Sequence, residues 1–247
     1  MAKMAAADGI TDIACTPHVT PGVYDNTAPD IRTRIARLNS HLRDSGVEVN
    51  LWMGGDVHVD PNLVEKLMGG LVPTLGESRY LLLEPPHHVV PPRLPELVQD
   101  LVAAGYTPII THPERLTWIE ARYALFTSMI EKGALVQVTA GSIVGRFGGL
   151  AKRLAERMLD EGLVDIIASD AHNATGRPPI LSEARQAVAQ RLGEAEATAM
   201  VLDRPRSILN NEPLSLRRGP ILPQTTARRS RQSFRLATFI KRLGGRT

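Results

Sequence analysis

Asp165-Ile166-Ile167-Ala168-Ser169-Asp170-Ala171-His172 is an apolar, strand-like run that closes on an acid and an imidazole. Two other words are built the same way. Ile13-Ala14-Cys15-Thr16-Pro17-His18 and Pro108-Ile109-Ile110-Thr111-His112-Pro113-Glu114-Arg115 also carry a histidine where a buried strand would leave the core. In a β/α barrel such strand ends converge on one face, and active sites sit on that face. Imidazole and carboxylate together are the ligand set for zinc, manganese or iron. The first reading is therefore a metal-dependent hydrolase.

Working outward, strand-like runs alternate with helical patterns. Strands are expected at 11–16, 47–54, 79–84, 107–111, 134–139 and 164–169. Helices are expected over the first ten residues and at 29–45, 61–69, 93–104, 117–132, 149–161 and 180–211. In the 29–45 helix, Ile31, Ile35, Leu38 and Leu42 recur at helical spacing and predict its buried face. Continuous apolar strands separated by helices argue for a parallel sheet covered by helices. The order opens on a helix, and this predicts that the leading strand is absent.

Five of the six strand ends offer candidates for chemistry. Pro17 biases Thr16 to extended geometry and puts His18 at the strand mouth. Asp56 follows Gly54-Gly55, which permit a close backbone approach; His58 lies two residues on. Glu84 closes Leu81-Leu82-Leu83 and, if buried, needs a metal or an arginine as partner. His87 and His88 follow in a Pro-rich loop and read as exposed. Arg115 has the planar fork that suits an anionic oxygen, and Glu114 is expected to point away or to pair with an arginine. Asp170 and His172 form the strongest pair, with Arg177 five residues later. Each has an ordinary surface or turn explanation alone; together, at successive strand ends, they do not.

Composition narrows the classes. The 247 residues are 43 % hydrophobic but only 4 % aromatic, so aliphatic side chains must fill the core. Residues 213–247 carry nine Lys or Arg and no acid. The remaining 20 basic and 26 acidic residues of 1–212 leave that part at −6. An acidic body with a basic tail argues against nucleic acid as the substrate. The single cysteine, Cys15, excludes an internal disulfide and fits a reducing cytosol. It also lacks the arginine six residues on that a cysteine-dependent phosphatase requires, since Pro21 stands there. No stretch has the length of a membrane span.

The ordered set Thr16-Pro17-His18, Gly55-Asp56, Leu83-Glu84, Thr111-His112-Pro113-Glu114-Arg115 and Ser169-Asp170-Ala171-His172-Asn173 resembles the PHP superfamily. Within it, the chain resembles most the CpsB/CapC/YwqE-type bacterial tyrosine-protein phosphatases of capsule and exopolysaccharide operons. The likeness runs over about 1–211 and includes Arg-Pro-Arg-Ser-Ile-Leu at 204–209. It implies an α/β fold, a distorted (β/α)7 barrel, with a multinuclear and commonly Mn-dependent site; iron, zinc, cobalt and magnesium are the other divalent candidates. Carried over by position, His18, Asp56, Glu84, His112, Asp170 and His172 would be metal ligands. Asp56 stands where the family usually has Glu. Arg115 and Arg177 would hold the substrate phosphate.

One departure is large. The family opens on a strand bearing Asp-x-His-x-His, and this chain starts one helix later. A start assigned too late is the favoured explanation. A strand missing from a barrel leaves unpaired edges, for which poor solubility or compensating oligomerisation is expected. The resemblance implies a phosphomonoester hydrolase acting on phosphotyrosine of a bacterial tyrosine kinase, in the cytoplasm. The alternatives are a histidinol-phosphatase-like enzyme for small molecules and a non-catalytic phosphotyrosine-binding regulator. Residues 1–211 are expected to form the phosphatase domain and 212–247 a basic flexible tail, either merely solvated or docked on an anionic membrane surface or an acidic kinase segment.

Overall fold

A computed structural model describes residues 1–216. The basic tail expected at 212–247 lies almost wholly outside the described residues. The chain begins with helix α1 (Ala2–Ala7), then strands β1 (Asp12–Cys15) and β2 (His18–Val19), helix α2 (Ala28–Asp44), and strands β3 (Asn50–Met53) and β4 (Asp56–His58). Helix α3 (Leu63–Met68), strand β5 (Tyr80–Glu84), helix α4 (Leu94–Ala103), strand β6 (Thr107–Thr111) and helix α5 (Tyr123–Glu131) follow. Strand β7 (Leu135–Thr139), helices α6 (Ala140–Ile143) and α7 (Gly148–Asp160), strand β8 (Ile166–Ala168) and helices α8 (Ser182–Leu192), α9 (Glu194–Thr198) and α10 (Arg204–Leu209) complete it. A π-helical turn, Ala199–Asp203, joins α9 to α10.

Every named strand pair is parallel. β1 pairs with β3, and β2-β4-β5-β6-β7-β8 form a second sheet in that order. The expected strands at 11–16 and 47–54 are thus each broken into two. The breaks face each other: a Cβ on Gly54 would lie 3.0 Å from Thr16 Cγ2, and one on Gly55 would lie 2.5 Å from Pro73 Cγ. Two glycines opposite Thr16-Pro17 let both runs bend together, and Asp56 N–H bonds the Pro17 carbonyl at 3.0 Å across the bend. The result is a curled parallel sheet, a half-barrel.

The curl explains the continuous apolar strands. Leu82, Ile109, Leu135 and Ile166 point to the concave side and pack with Leu75 and Ile208. Leu81, Leu83, Ile110, Val136, Val138 and Ile167 point the other way, against the helices. Both faces are buried, so alternation is lost from the sequence. Asp8 closes the fold from the N-terminal side by accepting Leu181 N–H (2.7 Å) and Ser182 N–H (3.1 Å) at the start of α8. No helix among the described residues is long and apolar enough to cross a membrane.

Three expectations need correction. Leu38 does not face the core; it is 47 % exposed. Asn39 turns inward instead, accepting Leu51 N–H and donating to Leu51 C=O, both at 2.8 Å, so helix α2 satisfies β3 with an amide. The helix expected from 117 begins only at 123, because Thr117 N–H and the Trp118 indole N–H are bonded to His87 C=O and Pro86 C=O. The 180–211 stretch is helical but not continuous: Gly193, at φ 92°, separates α8 from α9 in a conformation that only glycine adopts freely.

Candidate metal centre

The sheet delivers its polar residues to one rim. His18 opens β2, Asp56 opens β4, Glu84 closes β5 and His112 follows β6 directly. Glu84 and Asp56 are buried, as is His112. His18 Nδ1 lies 3.1 Å from Glu84 Oε2 and 3.9 Å from Asp56 Oδ2. His112 Nε2 lies 3.5 Å from both Asp56 Oδ2 and Glu84 Oε1. His112 takes a left-handed backbone, φ 35°, a conformation that costs energy outside glycine and is often found at functional positions.

The electrostatics follow from this crowding. Burial alone would lower His112, but the carboxylates of Asp56 and Glu84 carry it up to about 9. The hydrogen bond with Glu84 raises His18, against the effect of burial. Glu84, although buried, is held well below the usual carboxylate range by the two histidines. Asp56 moves the other way, pushed up by burial and then by the charge of Glu84. Asp56 Oδ1 and His112 Nδ1 are buried with no hydrogen-bond partner. Two carboxylates and two imidazoles so placed suit a divalent cation, which would take up lone pairs that the protein leaves unpaired. His18, Asp56 and Glu84 offer ligand atoms within 4.8 Å of one another, and so do Glu84, His87 and His112.

His87 is the residue that the sequence hid. Its Nε2 lies 3.8 Å from Glu84 Oε1, and its ring centroid is 5.0 Å from that of His112. The same two bonds that delay α5 hold its loop against the rim. His88, one residue on, is exposed as expected, and His58 belongs to neither donor group.

The arginines stand on the far side with Asp170 and His172. Arg115 Nη1 donates to Asp170 Oδ2 at 2.6 Å, and Arg177 Nη2 donates to the same oxygen. Both guanidinium groups lie over the Phe147 ring, 4.4 and 5.5 Å from its centroid. Asn173 Oδ1 accepts the backbone N–H of Gly176 (2.7 Å) and Arg177 (3.2 Å), which folds 173–177 into a tight turn and returns Arg177 to the rim. Asp170 and His172 lie outside both donor groups, but the His172 ring is 6.2 Å from that of His18, so all eight predicted residues border one site. Phe147 was not singled out by sequence; its glycine-flanked segment matches no phosphate-binding word. Glu114 points away, as expected, and pairs with no arginine among the described residues. It accepts Thr139 N–H at 3.0 Å and the Ser142 hydroxyl at 2.7 Å, bracing the start of α6.

A cavity of about 660 Å3 opens beside this rim, lined by Tyr24, His18, Asp170 and His172 and by the apolar Ile13, Leu82 and Ile208. Cys15 lies in its wall, and burial pushes the thiol up, away from the reactive thiolate.

A curled parallel sheet gathering imidazoles, carboxylates and paired arginines at one rim is the architecture of the PHP superfamily. Within that class the chain belongs to the capsular polysaccharide synthesis family CpsB/CapC, whose family model matches residues 1–210. The chain is 34 % identical over 181 residues to CapC of Staphylococcus aureus (73 % of this chain, 71 % of CapC). It is 32 % identical over 212 residues to the tyrosine-protein phosphatase YwqE of Bacillus subtilis strain 168 (86 % and 83 %). Its fold superposes with a TM-score of 0.84 and 30 % identity on a crystal structure from work on YwqE of Bacillus subtilis and CpsB of Streptococcus pneumoniae, described as unique metal-dependent tyrosine phosphatases, covering 88 % of this chain and 87 % of that one.

Proposed function

We propose that this protein is a metal-dependent protein-tyrosine phosphatase that acts on a bacterial tyrosine kinase in capsule or exopolysaccharide synthesis. The observation that carries the reading is the meeting of four buried or half-buried metal donors with two arginines that share one carboxylate. His18, Asp56, Glu84, His112, Asp170 and His172 are the proposed ligands, and His87 is within reach of the same ions. Manganese is the proposed ion, one of the divalent metals that a set of imidazoles and carboxylates accommodates. A divalent ion held there supplies Lewis acidity and a nucleophilic water at neutral pH.

The protein's own groups do the rest. Arg115 and Arg177 both donate to the anionic Asp170, and the same forks can donate to phosphoryl oxygens and neutralise charge on them in the transition state. Arg177 Nε, buried without a partner, is a further donor for a phosphate oxygen. Phe147 keeps both guanidinium groups in place without competing for their protons. No covalent phospho-enzyme is required. We place the catalytic domain at 1–211 and the protein in the cytoplasm, with the basic 212–247 segment available to an anionic membrane surface or an acidic kinase segment. Association of copies is part of the same proposal.

The test is manganese-dependent turnover of a phosphotyrosyl peptide set against histidinol phosphate. Faster turnover of the peptide supports the proposal. Preference for histidinol phosphate makes the protein a small-molecule phosphatase. Peptide binding without turnover at full metal occupancy makes it a phosphotyrosine-binding regulator.

A further inference from the structure

Beside the donor cluster stands an aromatic side chain that the proposed chemistry leaves unused. Tyr24 is 53 % exposed, a large apolar surface to leave against water. Its ring centroid lies 5.6 Å from that of His18, the planes inclined by 32°. It lines the 660 Å3 cavity together with His18, Asp170 and His172, and it also lines a second hollow of about 210 Å3. The ring is therefore the partition between two open spaces at the edge of the site.

The loop that carries it is built to hold it there. Thr20 and Tyr24 exchange two backbone hydrogen bonds, Thr20 N–H to Tyr24 C=O at 3.1 Å and Tyr24 N–H to Thr20 C=O at 2.8 Å. Gly22 N–H is taken by Asp25 Oδ1 at 2.7 Å, and Asn26 Nδ2 donates to the carbonyl of His18 at 2.8 Å. Residues 18–26 thus form a closed loop that leaves from a metal-donor residue and is tied back to it. Tyr24 is fixed at its turn, over the His18 ring.

We propose that Tyr24 is the platform for the aromatic ring of the substrate, and so the residue that makes this site prefer aryl over alkyl phosphate esters. This rests on the phosphatase reading given above. A phosphate held between the arginines and the donor cluster lies beside the cavity that Tyr24 lines, and that cavity offers its esterified group room. A phenyl ring lodged in it meets an aromatic face in the offset or tilted arrangement that such pairs favour. A short alkyl ester has no ring to lay against Tyr24 and gains nothing from it.

The experiment measures binding of phenylphosphonate and methylphosphonate, neither of which can be hydrolysed, to Mn2+-loaded protein by calorimetry. Wild type, Tyr24→Ala and Tyr24→Phe are compared at equal metal content, and turnover of a phosphotyrosyl peptide is followed in parallel. Tyr24→Ala is expected to weaken phenylphosphonate about tenfold, the scale of one aromatic pair with its buried area, and to change methylphosphonate by less than about twofold. Tyr24→Phe restores the phenyl preference. Equal weakening of both ligands by Tyr24→Ala would mean that the ring acts only by propping His18, and would overturn the proposal. So would a wild type with no phenyl preference, or a preference that survives in Tyr24→Ala. A Tyr24-dependent phenyl preference in a protein that never hydrolyses the peptide sinks the phosphatase reading and leaves the platform standing. Hydrolysis without that dependence does the reverse.

Discussion

At the scale of single residues, the site sets charges against one another at close range. Arg115 shares Asp170 with Arg177, which stays in place to hold that carboxylate, so loss of Arg115 should weaken phosphate binding and spare the metal. Arg115→Ala is expected to lower kcat/KM on a phosphotyrosyl peptide by about 10²–10³, the cost of removing one preorganised donor. Metal content measured by mass spectrometry should be unchanged; a loss of metal would show that Arg115 holds the ligand shell instead. His112 gives a second prediction. In metal-free protein its imidazolium is preferred in the folded state, up to about 9 against an ordinary 6.5. A raised pKa contributes stability that is complete below 6.5 and is lost as pH rises through about 9. The urea midpoint of protein kept in chelator should therefore fall across that window, and His112→Asn should flatten the fall. A slope that persists in the variant would assign it to another group. Glu84, moved downward, adds its own dependence only at acid pH.

At the scale of elements, the bend between β1 and β2 and its counterpart between β3 and β4 decide where His18 and Asp56 stand. His18 pairs with Asp56 in register immediately after both bends. Gly55→Ala puts a methyl group 2.5 Å from Pro73 Cγ and 3.0 Å from Val19 Cγ2, so the strand must shift at the residue before a metal donor. The variant is expected to fold but to bind manganese about tenfold more weakly, as when the support of a ligand is removed. Unchanged affinity by calorimetry would show that the bend is not what aims Asp56.

This bend also marks what the sequence could and could not tell. The six extended runs and their alternation with helices were legible, because apolar runs bounded by glycine and proline have few other readings. The ends of five of the six runs flagged their polar residues; the run at 134–139 flagged none. The split strands were not legible, because a Gly-Gly pair reads equally as a turn after a strand. His87 was missed for a related reason: what brings it to the rim is a pair of bonds from residues 117 and 118, about thirty positions away. Phe147 could be found only once both arginines had been placed on it. Glu114 shows the opposite case, a buried acid beside the site whose partners lie in β7 and α6 and whose role is mechanical.

At the scale of the whole molecule, the last helices hold the half-barrel closed through one buried cation. Arg204 is 4 % exposed; it donates to Glu196 Oε1 at 2.7 Å and to the carbonyls of Asp165 and Ser215, each at 3.1 Å. Removing one partner of such a buried pair strands the other. Arg204→Ala is expected to cost about 3–5 kcal/mol in a denaturant titration. Glu196→Gln, which keeps an acceptor for the guanidinium, should cost less. Equal, small effects would mean that α10 is held by its apolar contacts alone.

The order of the sheet has a consequence for how the molecule comes to exist. From β4 to β8 each strand lies beside its predecessor in the chain, so every new βα unit leaving the ribosome finds its neighbour already laid down. Assembly then runs as a zipper with short loop closures and little search. Long-range closures come late: Asn211 and Glu212 reach back 132 positions to Arg79 and Tyr80. That clasp can form only after the sheet is complete, and it ties residues 211–212 to the start of β5.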